Sequence, residues 1–428
     1  MTAATAAATQ GRVLSLSERA ELRRQRILGL VYLAAAALIV FAFALPLNGA
    51  TQSTFVLKLG PGDISVPNLV LPSTLSLYFL AGLAAFAGAA QLVRGFGSAW
   101  VVVLGIVAFA FVFSFLTWVA AEGSMNLTGL LQTMVARSVP IIFGALSGIL
   151  CERSGVVNIA IEGMLLSSAF AAAVTASITG DYWSGILAAM ITGGLMALLL
   201  GILAIRYQVD QIIAGFVINI LATGLTSYLH QGVLVPNPTL NQPPRVERLP
   251  IPVLSDIPVI GPILFQHNMF VYLAFILVGV IWFGLFKTRW GLRVRAVGEH
   301  PRAADTVGIN VTFVRYRNVI LGGIVAGLGG AYFTIGSTGT FEREMTGGRG
   351  YIGLAAMIFG GWNPLGAAGA GLVFGFADAI QARAAIFKIP VPSEFLLMLP
   401  YLVTIIVVAG LVGRVRAPAA DGQPYQKG

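Results

Sequence analysis

The run from Trp100 to Ala120 reads WVVVLGIVAFAFVFSFLTWVA, without one charged side chain. At 1.5 Å per residue, about 20 helical residues cross roughly 30 Å of hydrocarbon, so the stretch has the length and chemistry of a membrane span. Working outward, similar runs are read near 27–47, 72–93, 98–121, 128–150, 157–179, 184–205, 210–232, 268–287, 317–337, 351–362, 363–382 and 393–413. Hydrocarbon offers no water to open backbone groups, so helices must satisfy themselves. The expected fold is all-α: a polytopic transmembrane helical bundle of about 10–12 spans with both termini cytoplasmic. The run at 351–362 is too short to cross untilted, and Trp362-Asn363-Pro364 joins it to the next, so the two read as a broken or re-entrant pair.

Composition agrees. Of 428 residues, 57% are hydrophobic and 10% charged, and the mean hydropathy is +0.86, whereas a soluble chain carries about 25% charged residues. Water-soluble enzymes, nucleic-acid-binding domains and disordered scaffolds are excluded. The single cysteine, Cys151, precludes an internal disulfide or a multi-cysteine metal site. His230, His267 and His300 lie in separate regions, which speaks against a metal centre or a catalytic triad. No Gly-Lys dipeptide occurs, so there is no phosphate-binding loop for ATP hydrolysis, and no enzymatic role is expected.

The net charge of +9 reads as topology rather than as a nucleic-acid partner. With both termini inside, eighteen of the 26 basic residues fall on the cytoplasmic side, seven opposite, and Arg137 within a span. That is the positive-inside bias. Arg23, Arg24 and Arg26 precede the first span, whose apolar run exceeds a signal-peptide core, so it reads as a retained anchor behind a disordered cytoplasmic tail at 1–26. Residues 233–267 form a loop too rich in proline for helix, a stiff cap outside; 287–317 is the longest and most basic cytoplasmic connection, suited to docking a partner. A cytoplasmic tail is expected at 414–428.

Three motifs stand out. In Glu152-Arg153-Ser154-Gly155-Val156-Val157-Asn158-Ile159-Ala160-Ile161-Glu162-Gly163, a helix resuming after Gly155 would put Asn158 and Glu162 on one face. A carboxylate inside a span either lines a polar path or makes a structural pair or cap, and the spacing leaves both open. In Gly298-Glu299-His300-Pro301-Arg302-Ala303-Ala304-Asp305-Thr306-Val307-Gly308, Pro301 suits a first helical turn and Gly308 a C-terminal cap. The small Ala303 and Ala304 on the surface of this short helix would admit close approach of another protein; a connector resting on lipid headgroups is the alternative. Gly322, Ala326 and Gly330, Gly323, Gly327 and Ala331, and Gly371 and Gly375 form small-residue rows that read as helix packing. Acids in or bordering spans are few: Glu162, Asp210, Asp378, and at the margins Glu122 and Glu394. That is thin for an ion-coupled carrier. A permease energised by a separate ATPase fits these features better than a secondary carrier or an intramembrane enzyme.

From about Leu127 to Gly413 the chain resembles the permease family of bacterial ABC importers for branched-chain amino acids, simple sugars and nucleosides. Glu152–Gly163 is most similar to the nucleoside-type branch. Gly298–Ile309 resembles the segment that couples such permeases to their ATPase, with Arg302 where the family generally has Glu. Ile352–Gly366 also resembles a family segment. The resemblance implies an N-terminal transmembrane extension at 27–121 and a permease core at 122–413. It implies a substrate path lined by Asn158, Glu162 and Asn219, and an ATPase contact at Glu299, Arg302, Ala303, Ala304 and Gly308. It further implies no cofactor in this chain, ATP being used by a cytoplasmic ATP-binding subunit, with a paralogous second permease and an extracytoplasmic substrate-binding lipoprotein as partners in the bacterial inner membrane. Ribose-like sugars or branched-chain amino acids stay open as cargo.

Overall fold

The computed structural model describes residues 16–59, 66–383, 398 and 416–426. Among them, ten helices are long and apolar enough to cross a membrane, and a shorter apolar helix lies at Arg349–Phe359. The chain is a polytopic helical bundle. The expected span at 393–413 lies outside the described residues, apart from Met398. Two compact units are present: Met1–Leu59 with Ser65–Leu127, and Gly60–Ile64 with Thr128–Gly428.

The first unit holds α1 (Leu16–Leu38), α2 (Ser73–Val93) and α3 (Trp100–Val119). Helix is already present over 16–26, where a disordered tail was expected, because Leu, Glu, Arg and Ala there favour it. Gly88 lets α1 and α2 close up: a Cβ there would stand 2.8 Å from Leu33. Strand β1 (Gln52–Val56) pairs antiparallel with β2 (Leu69–Pro72) and parallel with β3 (Ser124–Asn126). That last pairing holds the chain in the first unit to 127, a few residues beyond the division expected at 121.

The second unit is built on α4 (Leu127–Glu152), buried along its whole length from Ser138 to Glu152. A helix apolar on all sides belongs at the centre of a bundle. Around it run α5 (Ile161–Thr179), α6 (Tyr182–Gly201), α7 (Gln211–Leu229), α9 (Met269–Lys287), α12 (Val311–Ala331) and α14 (Pro364–Arg383). The α12 glycine rows do pack helices: a Cβ on Gly327 would lie 2.8 Å from Met190 Cα of α6, and one on Gly330 2.6 Å from Ser168 of α5. The flanks of α7 and α9 expose Phe216, Ile220, Ile276 and Phe283, a surface suited to lipid.

Residues 233–267 are largely irregular, holding short α8 (Ile260–Leu264) and strand β4 (Arg248–Pro250) paired antiparallel with β5 (Gln266–Asn268). At the opposite end, α10 (Arg289–Glu299) and α11 (Pro301–Thr306) follow one another with a break at His300. Between α12 and α14, the chain forms α13 (Arg349–Phe359) and turns at Gly360–Asn363, so the broken pair expected there is a half-length helix followed by a full one. Asp210, read from sequence as an acid at a span border, is the N-cap of α7 and accepts from Ile212 and Ile213 N–H at 2.9 and 3.0 Å.

Candidate substrate pathway and coupling segment

After α4 the chain turns at Gly155 and runs without helical structure through Ala160 before α5 begins. Gly155 has φ +87°, and Gln211 Oε1 accepts from Val157 N–H at 2.7 Å, which pairs that N–H outside any helix. Helix therefore resumes at Ile161 rather than just after Gly155, so Asn158 and Glu162 do not share a helical face. Asn158 is fully buried, its amide donating to Cys151 Sγ at 3.3 Å and Ser147 Oγ at 3.5 Å. Glu162 points elsewhere.

Ile161 packs beside Gly144 and Gly148, well inside α4, and Gly350 comes against Gly144 and Glu162. The N-termini of α5 and α13 thus meet partway along the central helix. Each exposes N–H groups without intrahelical partners. The Glu162 carboxylate accepts from Gly348 N–H at 2.8 Å and Gly350 N–H at 2.6 Å, capping α13. Asn219 of α7 does the same for α5: its Oδ1 accepts from Gly163 N–H at 2.8 Å, while its amide donates to Ile159 O at 2.8 Å and Tyr351 Oη at 3.0 Å. Asn219 is only 4% exposed, against 39% for Tyr351. Glu162 is half-buried. The accessible members of the node are therefore Glu162 and Tyr351; Asn219 holds the frame, and Asn158 lies behind it. Tyr351 was missed in sequence because an aromatic in an apolar run carries no signal of position.

Further along the same helices, Arg349 grips Asp378 of α14 through two nitrogens at 2.9 and 3.1 Å and lies over the Phe333 ring. Arg137 of α4 stands 3.7 Å from the same carboxylate. Two guanidiniums thus share one acid. Toward the proline-rich end is a cavity of about 450 Å³ lined by Arg245, Arg248, Arg383, His267, Gln132 and Asn268. Arg383 donates to Thr133 Oγ1 at 2.7 and 3.1 Å, and Arg245 to Thr338 O. Burial, with Arg248 nearby, pushes the His267 imidazole below its ordinary pKa.

At the other end, Pro301 occupies the first turn of α11, and Gly308, φ +83°, ends it with its N–H on Asp305 O at 2.9 Å. Glu299, Arg302, Ala303, Val307 and Gly308 are exposed. Ala304, expected on the surface, is buried at 3% exposure in the main apolar cluster. One helical face must anchor the segment, and Ala304 is on it. Glu299 is also engaged, accepting from Ala419 N–H at 3.1 Å.

Residues 130–408 match the family described as the branched-chain amino acid transport system / permease component. The chain belongs to that family. It is 41% identical to the guanosine ABC transporter permease protein NupQ of Bacillus subtilis over 68% of this chain and 93% of the relative. It is 40% identical to the nucleoside ABC transporter permease protein NupC of Lactococcus lactis subsp. cremoris, over 71% and 99%. With the putative glucose ABC transporter permease protein TsgC13 of Haloferax volcanii, identity is 33% over 60% and 78%. No solved structure matches the chain.

Proposed function

We propose that this chain is the permease subunit of an ATP-driven uptake system for nucleosides, a multi-pass protein of the bacterial inner membrane with both termini cytoplasmic. The observation that carries the reading is the meeting of two helix N-termini, α5 and α13, inside the bundle around Glu162 and Tyr351. Transporters bind cargo where helices break, because freed backbone and capping groups can there be exchanged for contacts with a solute. Ribose hydroxyls and base edges offer donors to the Glu162 carboxylate and partners to the Tyr351 phenol. Asn219 positions both, and Asn158 is reached only if the 155–160 segment moves. Near-full-length similarity to guanosine and nucleoside permeases supports this cargo. The likeness to a glucose permease keeps a simple sugar such as ribose as the second reading.

The chain itself holds no cofactor in this reading; ATP is consumed by a cytoplasmic subunit that docks on Glu299, Arg302, Ala303 and Gly308, with Ala304 buried behind them. A paralogous permease completes the path. The cavity with Arg245, Arg248 and Arg383 faces outward, where an extracytoplasmic binding lipoprotein delivers cargo through an acidic face. Uptake of labelled guanosine and of ribose, in cells with and without the gene, tests the reading. Gene-dependent guanosine uptake is expected; ribose uptake alone would transfer the assignment to sugars.

A further inference from the structure

Residues 417–426 fold back onto the α10–α11 end of the second unit and touch several separate elements. Ala420 N–H donates to Gly298 O, at the end of α10, at 2.9 Å, and Ala419 N–H to Glu299 at 3.1 Å. Tyr425 and Asp305 of α11 line one cavity. Arg315 of α12 donates to Gln423 O at 3.0 Å, and Gln208, between α6 and α7, accepts from Gln426 at 2.9 Å. The Asp421 carboxyl lies near that of Glu152 at the end of α4. Glu152 in turn accepts from Trp362 Nε1, in the α13–α14 turn, at 2.6 Å.

These contacts are built into the fold. Ala420 is 3% exposed and Arg315 1%. A Cβ on Gly155 would stand 2.9 Å from Arg315 and 3.2 Å from Ala420 O, so the elbow after α4 is shaped around the tail. A guanidinium so buried is costly unless something answers it, and the hydrogen bond to Gln423 O comes from the tail; Arg315 Nε and Nη2 and Asp421 Oδ1 have no hydrogen-bond partner among the described residues. Besides the tail, α10–α11 joins the bundle through Val294, Val297 and Ala304, which are buried in the main apolar cluster, through its short hinges, Thr288 and Gly308–Asn310, and through the close approach of Gly298 to Arg153.

We infer that residues 419–425 are a positioning strap that ties the α10–α11 segment to the ends of α4 and α12, so that its displacement moves those helices instead of bending the hinges. The inference rests on the reading of α10–α11 as the ATPase contact. Coupling travels through packed contacts that move together, and the strap joins one element that a partner pushes to two that frame the path.

The test uses the assembled transporter in proteoliposomes, with the binding protein and labelled guanosine. Ala420→Trp cannot fit its buried position and ejects the strap; Asp421→Ala removes its carboxyl while keeping the backbone contacts. Both variants should co-purify with the ATPase subunit and keep its basal rate. Stimulation by loaded binding protein and uptake should fall more than tenfold in Ala420→Trp and hold at the unaltered level in Asp421→Ala, which keeps the backbone contacts of the strap. Unchanged stimulation and uptake in Ala420→Trp would overturn the inference, as would loss of the ATPase subunit from both variants, which would make the tail part of the docking surface. Ala303→Trp, run in parallel, separates the two readings: if it assembles and transports normally, the coupling face itself is misplaced.

Discussion

The carboxylate of Glu162 caps the helix that begins beside Gly350, accepting that residue's N–H at 2.6 Å and Gly348's at 2.8 Å. The acid is thus both an N-terminal cap and a half-buried charge at the break between helices. A carboxylate at a helix N-terminus stabilises it through hydrogen bonds and the helix dipole, together by about 1–2 kcal/mol. Glu162→Gln keeps the shape but loses the charge and one acceptor. We expect the assembled complex to form with normal yield and guanosine uptake to drop about tenfold, the equivalent of 1.4 kcal/mol. Loss of assembly instead would make the residue purely structural.

Asn219→Ala should act differently, because it leaves Gly163 N–H and Ile159 O without their side-chain partners in a buried site. Unpaired buried groups cost about 1–3 kcal/mol each. The expected result is a lower thermal midpoint for the detergent-solubilised protein, read by tryptophan fluorescence. An unchanged midpoint together with weakened substrate binding would place Asn219 in the path itself.

Asp378→Asn should strand Arg349 and Arg137 without a counter-charge. Removing one partner of a buried ion pair costs about 3–5 kcal/mol, so yield should fall sharply. Adding Arg349→Gln should restore much of it. A double variant no better than the single would argue against the pair as the source of the loss.

Ala303→Trp and Gly308→Trp place bulk on the exposed face of α11 and at its end. Each should abolish co-purification of the ATPase subunit while membrane insertion, scored by fractionation, is unaffected. Gly308→Trp is also strained by its left-handed backbone, so a folded Ala303→Trp variant that still binds the ATPase would be the more damaging outcome.

Burial pushes the Asp421 carboxyl up to about 6, against the ordinary carboxylate range of the free tail. The charged and titratable groups around it are Glu152 and the Cys151 thiol of α4 and Arg315 of α12. A group whose docked pKa is raised takes up a proton on docking, so docking is favoured at low pH and loses that contribution as pH rises through about 6. Proteolytic clipping of the tail should be several-fold slower near pH 5 than near pH 8, a dependence that Asp421→Asn removes. Equal clipping at both pH values in the unaltered protein would contradict the assignment.

Some of this was legible in local sequence because the causes are local. Apolar runs set the spans. Pro301 and Gly308 bracket α11, and the short run ending at Trp362-Asn363-Pro364 marks the broken pair. Asp210 could have been read as a cap, since it directly precedes a helical run, but its place at a span border drew attention to its charge. Where reading by pattern failed, the deciding contact was distant. Asn158 and Glu162 were expected on one face, yet Gln211, 54 positions beyond Val157, takes that residue's N–H, and helix begins only at Ile161.

By itself the sequence determined the solvent and the class: a chain with 10% charged residues must live in lipid, because its helices bury their own backbone polar groups and little else that water requires. Only tertiary structure decided what the rare polar groups do. Glu162 finds its N–H donors 186 and 188 positions away, and Arg315 finds Gln423 108 positions away. The strength of a buried hydrogen bond or charge depends on which partner arrives and how completely water is excluded, and chain order records neither.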